Sequence, residues 1–303
     1  MVTVASEWFA VCGGCEVTIL DIGAPLLDLL PKLDIVHWPI LLDHKYFGSI
    51  GDKKEIEIPQ ADVGIITGGI RTEQEKELAK LMRENCTTLI ADGTCACTGG
   101  VPALANMFTI EQIAEYVKST SSTDPSDKEL PALSGGDVPK LTDRIYALDE
   151  VVDVDIKIPG CPSTPELVVQ ALTALLEGKP FELSEKSVCD DCPKIREKKA
   201  ISELQRPLKP IPEDGGRCYL ELGFLCMGPT TRSGCGESEE IPRCIRANMT
   251  CEGCFGPLRE GANVMVDMMG ALSTIGIDTA QILDRRGTFN RFTGAHNILR
   301  PIG

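Results

Sequence analysis

The chain has 303 residues and a formal net charge of −15 at pH 7, with 43% hydrophobic and 25% charged residues. This length and composition predict a globular protein of about two domains. The acidic balance argues against a nucleic-acid binder, because no stripe of Lys or Arg stands out to neutralise phosphates. No apolar run is long enough to predict a membrane span.

The first half alternates β-branched runs with helical patterns, which predicts an α/β fold with a flavodoxin-like, mainly parallel sheet. The predicted strands are Val2–Val11, Asp34–Pro39, Val63–Thr67, Thr87–Ala91 and Asp153–Ile158. The predicted helices cover about residues 16–30, Thr72–Asn85, Thr109–Ser119 and Thr164–Gly178. Thr72 with Glu75 three residues later is a capping box, so this helix has a defined start.

Cysteine and glycine follow the predicted strands at several points. Cys12-Gly-Gly-Cys15 comes after the first strand, a stretch with Cys95 and Cys97 after the fourth, and Gly-Cys161-Pro after the fifth. The carboxyl ends of parallel strands line one edge of a sheet, where such folds bind their ligands. We therefore expect these cysteines to converge in one crevice. Unrelated buried cysteines are the alternative.

A domain boundary is predicted near residue 180, which gives one domain at 1–180 and another at 181–303. A polar stretch at residues 120–140 is interpreted as a surface insertion without an assigned function. Prolines at 207, 210 and 212 and few periodic runs predict irregular structure, which depends on metal for folding. Asn263–Ile275 is predicted as a helix whose methionines pack into a core or an interface.

Eight cysteines lie between residues 189 and 254, where the chain has no histidine. They form the pairs Cys189–Cys192 and Cys251–Cys254, and four single residues between them: Cys218, Cys226, Cys235 and Cys244. Eight thiolates suffice for two four-sulfur sites, and soft sulfur selects zinc or iron–sulfur clusters. A structural zinc domain and a disulfide scaffold are the alternatives. Fourteen cysteines without an export signal predict an intracellular, cytoplasmic setting with thiols committed to metal.

The ordered motifs resemble the small, electron-transferring subunit of nickel–iron hydrogenases. They are the CxxC after the first strand, GxCxxxGG at Gly93–Gly100, GCP at Gly160–Pro162 and an eight-cysteine region ending in CxGCxGP. Within that family the chain looks most like the gamma subunit of the archaeal F420-non-reducing, methyl-viologen-reducing type. The stretches around Cys226, Cys235 and Cys254 favour this subtype.

The resemblance implies three 4Fe-4S clusters. Their ligands would be Cys12, Cys15, Cys95 and Cys161 for a proximal cluster, Cys235, Cys244, Cys251 and Cys254 for a medial cluster, and Cys189, Cys192, Cys218 and Cys226 for a distal cluster. Many relatives carry histidine at the position of Cys189. Relatives with proline at the position of Cys244 hold a three-iron cluster. Cys97 is expected to be a spectator, with replacement of Cys95 as the alternative, and Cys86 a buried small hydrophobe.

The resemblance further implies that hydrogen is split on a separate large subunit and that this chain has no catalytic residue. Electrons would pass on to a small iron–sulfur subunit and to heterodisulfide reductase, within methanogenesis and with flavin-based bifurcation. Glu16 is either a proton-transfer residue or a carboxylate favoured by a helix start. The three histidines are expected to be structural or on the surface.

Other classes of function stay open at this point. They are the small subunit of an NADP-linked sulfhydrogenase or of a deazaflavin-reducing hydrogenase, a stand-alone polyferredoxin-like carrier, and a zinc-stabilised assembly module. The related quinone-oxidoreductase subunit fits poorly, because it shares the proximal half and lacks the eight-cysteine region.

Overall fold

The structure is a computed structural model that describes residues 1–47, 52–120, 138–201, 203–205, 209–212 and 216–302. The predicted insertion at 120–140 therefore lies, apart from its ends, outside the described residues, and so does the proline at 207. The strands are β1 Val2–Trp8, β2 Leu33–His37, β3 Ala61–Thr67, β4 Ile70–Thr72, β5 Cys86–Asp92, β6 Leu141–Tyr146 and β7 Ile156–Ile158.

The α-helices of the sheet-forming half are α1 Gly14–Asp21, α2 Ala24–Leu29, α3 Glu73–Asn85, α4 Thr94–Thr98, α5 Ile110–Ser119 and α6 Pro165–Leu176. The later helices are α7 Val188–Asp191, α8 Arg243–Arg246, α9 Val264–Ser273 and α10 Arg285–Phe289. Within the described residues, no helix is both long and apolar enough to cross a lipid bilayer.

Five strands form one parallel sheet in the order β2-β1-β3-β5-β7. When only the five strands of this sheet are numbered, the order is 2-1-3-4-5, which is that of the flavodoxin-like fold. The predicted fold class is therefore confirmed. The short strands β4 and β6 pair antiparallel in a separate ribbon that the sequence patterns did not predict. Its three-residue member, β4, is too short for a period-two pattern to be recognised.

Helices cover both faces of the sheet and create two apolar layers. On one face α3 and α4 contribute Leu78, Ala79, Met82 and Ala96, packed against Ala5, Ile66 and Leu89 of the strands. On the other face α1 and α6 contribute Ile19, Val168, Ala171 and Leu172, packed against Val4, Val63 and Ile90. Because both faces are covered, β3 and β5 carry continuous apolar runs at Ile65–Ile66 and Leu89–Ala91, as expected for a parallel sheet.

The helix starts follow their predicted capping residues. At α3 the Thr72 hydroxyl accepts the Glu75 N–H at 3.1 Å, and the Glu75 carboxylate accepts the Thr72 N–H at 2.7 Å. The single helix predicted at about 16–30 is wrong, since it is broken into α1 and α2 at Gly23. Gly23 has a φ of +68° and precedes α2, whose second residue is Pro25, so the chain turns at Gly23.

The cysteine-rich half has an apolar core of its own, although its described residues form only short helices, turns and isolated bridges. Met268 and Leu272 of α9 are fully buried in it, which confirms the predicted packing of this helix. Phe224 and Phe289 fill the same core. The dependence of this half on metal stays a prediction, and apolar burial already supplies part of its stability.

Candidate metal centre

Four cysteines lie just beyond the carboxyl edge of the parallel sheet. Cys12 and Cys15 follow β1, Cys95 follows β5, and Cys161 follows β7. The strand order places β3 between β1 and β5, and its following loop carries glycines instead of cysteine. Parallel pairing therefore brings to one edge residues that are far apart in sequence. We refer to these four residues as the sheet-edge group.

Electrostatic coupling shows that the sulfurs of the sheet-edge group are neighbours. Burial and then the charges of Cys161 and Cys12 raise the pKa of Cys95 to about 12. The pKa of Cys161 is likewise raised by burial and by the charge of Cys12. Burial, Asp92, Glu16 and Cys95 raise the pKa of Cys15. Neighbouring thiols whose pKa values are raised in this way hold their protons until a cation replaces them.

Two glycines allow the chain to approach these sulfurs closely. At Gly93, with a φ of +85°, an added Cβ would overlap the Cys15 Sγ. At Gly100, with a φ of +54°, it would lie 2.6 Å from the Cys95 Sγ. Both positions combine a backbone conformation that favours glycine with a close approach of backbone to sulfur. Gly93 and Gly100 of the GxCxxxGG element therefore shape the wall of the group.

Cys86 and Cys97, the other two cysteines of the sheet-forming half, lie in the apolar core and outside the sheet-edge group. The Cys97 thiol donates to the backbone carbonyls of Ala91 at 3.4 Å and Ile158 at 3.7 Å. Cys86 is 4% exposed in the layer beneath α3, and burial raises its pKa to about 11. The structure thus places Cys86 as the predicted small hydrophobe, and it places Cys95 instead of Cys97 beside the other three thiols.

A second set of four cysteines lies at the start of the cysteine-rich half. Desolvation of its sulfur and the charges of Cys226, Cys218 and Cys192 raise the pKa of Cys189 to about 12. Cys192 and Cys226 are also coupled to Cys218. Burial raises the pKa of Cys226 to about 11, and the backbone N–H groups of Gly228 and Cys251 oppose this rise. These four, Cys189, Cys192, Cys218 and Cys226, are called the outer group.

The third set lies between the other two and is called the middle group: Cys235, Cys244, Cys251 and Cys254. Burial and the charges of Cys244 and Cys235 raise the pKa of Cys254 to about 12. Burial and the charge of Cys244 raise the pKa of Cys235, and burial and the charges of Cys226 and Cys254 raise that of Cys251. The division of these cysteines into separate ligand sets stays a prediction.

Direct hydrogen bonds join neighbouring groups. Between the sheet-edge and middle groups, the Thr94 hydroxyl donates to the Cys254 carbonyl at 2.5 Å. Between the middle and outer groups, the Cys251 N–H donates to the Cys226 Sγ at 3.2 Å. The three groups therefore form a continuous series from the sheet edge to the outer group, with the middle group in contact with both.

The donor chemistry fits iron–sulfur clusters. Each group offers four thiols and no imidazole or carboxylate of its own, and the Cys251 N–H donates to the Cys226 sulfur. All fourteen cysteines are free, so a disulfide scaffold is not present. Among the described residues, no three His, Cys, Asp or Glu side chains converge tightly enough to hold a single metal ion.

Buried carboxylates adjoin the sheet-edge group. Glu16, in the first turn of α1, accepts a hydrogen bond from the Thr67 hydroxyl through Oε1, while its Oε2 is buried without a partner. Burial raises the pKa of Asp92 to about 7, although the Ser163 hydroxyl and Gly93 N–H favour its charged form. Neither Asp92 oxygen makes a hydrogen bond of normal geometry. This part of the site can hold a proton near neutral pH.

Sequence reasoning missed the roles of Asp92 and Thr94. The Thr94 hydroxyl also accepts the Gly160 N–H at 2.9 Å, so it joins the loops of β5 and β7 to the middle group. Asp92 ends β5 and Thr94 directly precedes Cys95, and this closeness to a predicted ligand was the signal in the sequence. The histidines are structural or partly exposed, as predicted. His37 bonds Glu7 at 2.6 Å, and His296 bonds Asp149 at 2.7 Å.

Comparison with known proteins adds a family-level similarity. The family model described as NADH ubiquinone oxidoreductase, 20 Kd subunit, matches residues 12–175. That match includes the sheet-edge group and ends before the outer and middle groups. The matched segment is therefore the part of the chain that forms the parallel sheet and its edge.

Curated relatives match nearly the whole chain. The G subunit of the vhu F420-non-reducing hydrogenase of Methanococcus voltae is 38% identical over 282 residues, which is 93% of this chain and 91% of that protein. The iron-sulfur G subunit of the F420-non-reducing hydrogenase of Archaeoglobus profundus is 32% identical, covering 88% of this chain and 86% of that protein. A solved NAD+-reducing [NiFe]-hydrogenase chain matches with a TM-score of 0.51 and 26% identity, over 60% of this chain and 94% of that one.

Proposed function

Because the chain belongs to the family of F420-non-reducing hydrogenase G subunits, the iron–sulfur small subunits of nickel–iron hydrogenases, we propose that it carries electrons from H2 oxidation along three 4Fe-4S clusters. The proposed ligands are the sheet-edge group for the proximal cluster, the middle group for the medial cluster and the outer group for the distal cluster. When bound, the clusters would supply one-electron carriers.

The observation that carries this proposal is the hydrogen-bonded series of the three thiol groups. The Thr94 hydroxyl joins the loop of the first group to the second group, and the Cys251 N–H joins the second group to the third. Each contact pairs a side-chain atom with a backbone atom of the neighbouring group, and together they hold the three groups in series. The chain's own role is then to hold the carriers at fixed separations and to exclude water from them.

The large nickel–iron subunit is the partner that membership of this family implies, and we place its docking face at the sheet-edge group. Cys12 and Cys161 are exposed there. The elements that lead to and from this group also carry exposed apolar side chains, namely Trp8 at 45%, Val17 at 54% and Leu20 at 54%. An exposed apolar surface beside exposed thiols favours a permanent partner that covers both.

The electron exit is proposed at the outer group, where Cys189 has solvent-exposed surface. A small iron–sulfur subunit and then heterodisulfide reductase are the proposed onward partners, on the basis of the resemblance to the F420-non-reducing type. A cytoplasmic location belongs to the same proposal and is supported by fourteen free cysteines, which suit a reducing compartment.

A proton-transfer role for Glu16 is also part of the proposal. Its buried, unpartnered Oε2 lies next to the sheet-edge group and is available to a group of the large subunit. The alternative is a purely local role at the start of α1, where a carboxylate favours the helix dipole. Glu16→Gln keeps the size of the side chain, so a lower H2 turnover with unchanged iron content would support proton transfer. Unchanged turnover would support the local role.

The test of the function is H2-dependent reduction of methyl viologen. The complex of this chain with its large subunit is expected to reduce the dye, and this chain alone is expected to be inactive because its cysteine pairs are all assigned to clusters. A large subunit that reduces the dye equally well without this chain would contradict the proposal. Electron transfer by this chain without any large subunit would favour a stand-alone carrier.

A further inference from the structure

A short basic segment lies beside the outer group in a chain that is acidic overall. Residues 193–200, called the basic loop, contain four basic residues and one acidic residue, while the whole chain carries a net charge of −15. The basic residues are Lys194, Arg196, Lys198 and Lys199. The loop begins directly after Cys192, so this positive charge lies where electrons are proposed to leave.

Backbone hydrogen bonds attach the basic loop to the outer group. The Cys218 N–H donates to the Ile195 carbonyl at 2.8 Å, and the Ile195 N–H donates to the Gly216 carbonyl at 2.8 Å. The Lys194 ammonium lies 4.8 Å from the centre of the Tyr219 ring, which adds a cation–π contact. The loop is therefore fixed relative to Cys192, which directly precedes it, and to Cys218, whose N–H bonds Ile195.

A buried carboxylate holds the far end of the loop. The Glu221 side chain is fully buried, and its two oxygens accept the backbone N–H groups of Glu197 at 2.7 Å and Lys198 at 2.6 Å. Lys198 is exposed and has a φ of +59°, a conformation that is uncommon for a lysine. Hydrogen bonds to a charged acceptor stabilise this turn and keep its cations at the surface.

The surface of the loop combines positive charge with one exposed apolar side chain. Ile195 is 61% exposed in the midst of the cations. Glu197 is the loop's one acid, and it is already paired with Lys199 and with Arg217, the latter at 3.1 Å. Arg196 lies 3.9 Å from the buried Glu221 carboxylate. Lys194 and Lys198 add positive charge beyond these ion pairs, and charge of one sign on a surface can steer and orient a partner of the opposite sign.

We propose that the basic loop is the docking surface for an electron-acceptor protein whose own surface is acidic around its redox centre. The inference rests on the proposed function, since it assigns the kind of partner that meets the outer group. Opposite charges would steer the acceptor to the exit and orient it there. No other reactant is needed: each H2 oxidised releases two protons and two electrons, and two one-electron acceptor molecules take one electron each.

The test uses the complex of this chain with its large subunit and an acidic plant-type 2Fe-2S ferredoxin as the acceptor. The double variant Lys198→Glu/Lys199→Glu reverses two exposed charges of the loop, outside the cluster ligands. Its kcat/KM for ferredoxin is expected to fall about tenfold at low ionic strength, because steering of this kind changes association rates by that factor or more. The loss should shrink as salt is added, while the H2-dependent reduction of methyl viologen stays unchanged.

The matched control is Lys80→Glu/Lys118→Glu, which makes the same charge change at exposed positions of α3 and α5. It is expected to leave the ferredoxin rate nearly unchanged. An equal loss in the control, a loss that salt does not reduce, or a wild-type complex that reduces methyl viologen but not ferredoxin would overturn the inference. A wild-type complex that reduces neither acceptor contradicts the proposed function itself.

Discussion

Replacement of Gly93 by alanine tests whether the sheet-edge group is shaped by close approach of the backbone. Gly93 has φ +85° and ψ +155°, a region almost restricted to glycine, so alanine there costs about 1–3 kcal/mol. The new methyl group would also overlap the Cys15 Sγ, and Cys15 is only 5% exposed and has no free space to move into. Overpacking of this kind costs a further ~1–3 kcal/mol.

The added costs predict that Gly93→Ala lowers the free energy of unfolding by about 2–6 kcal/mol, a large part of the usual 5–15 kcal/mol. Cys15 would be displaced, and the complex should lose one cluster, about four iron atoms per chain. Iron content, low-temperature electron paramagnetic resonance and the midpoint of chemical unfolding measure these effects.

Gly99→Ala is the matched control. Gly99 has the same φ of +85°, and its added Cβ would lie 2.6 Å from the Ala103 Cβ and 2.8 Å from the Ala295 Cβ, with no sulfur nearby. It should lose stability to a similar extent and keep its iron. The reasoning is refuted if Gly93→Ala retains all its iron, or if the two variants lose iron equally.

Five further variants separate the remaining roles. Cys95→Ala should remove about four iron atoms per chain, while Cys97→Ala should keep them all, as iron analysis will show. Thr94→Val should cost about 1–3 kcal/mol and slow the H2-dependent reduction of ferredoxin, because it removes the hydroxyl that bonds the middle group. Thr98→Val, which removes a hydroxyl bonded to a backbone carbonyl elsewhere at 2.7 Å, should lower stability without slowing that reaction. His296 has a pKa raised above 6.5 by its hydrogen bond to an aspartate, so its contribution to the free energy of unfolding is complete below pH 6.5 and is lost as pH rises through the folded-state pKa. His296→Gln should therefore lower Tm more at about pH 5.5 than at about pH 9. The corresponding loss in the free energy of unfolding should be less than about 1 kcal/mol, because the imidazole is partly exposed; an equal change in Tm at both pH values would contradict this.

The α/β fold could be predicted because its signals are local. Apolar runs mark the strands of the parallel sheet, and Thr72 with Glu75 marks the start of a helix. The break at Gly23 could not be predicted from periodicity, since apolar residues continue through it and only the backbone conformation changes. The β4–β6 ribbon was missed because it joins segments about seventy residues apart, and pairing at that distance has no local pattern.

The candidate site could be predicted only in part. The ends of parallel strands predicted that cysteines meet at the sheet edge, and the charges of Cys161 and Cys12 do act on Cys95 there. The division into three ligand sets came from the family resemblance. Whether each thiol is a ligand stays a prediction. The contribution of Thr94 depends on a hydrogen bond to a residue 160 positions away, and that of Glu221 on backbone N–H groups about 24 positions before it. Such through-space roles leave no spacing pattern in a single sequence.

The central claim is that twelve cysteines hold three 4Fe-4S clusters. It is tested most directly by measuring iron, acid-labile sulfide and zinc per chain in the anaerobically purified complex, after subtraction of the metal of the large subunit. About 12 iron and 12 sulfide per chain, with reducible 4Fe-4S signals in electron paramagnetic resonance, are predicted. About 11 iron with an oxidised three-iron signal would remove Cys244 from the ligand set, and zinc with little iron would contradict the account of electron transfer.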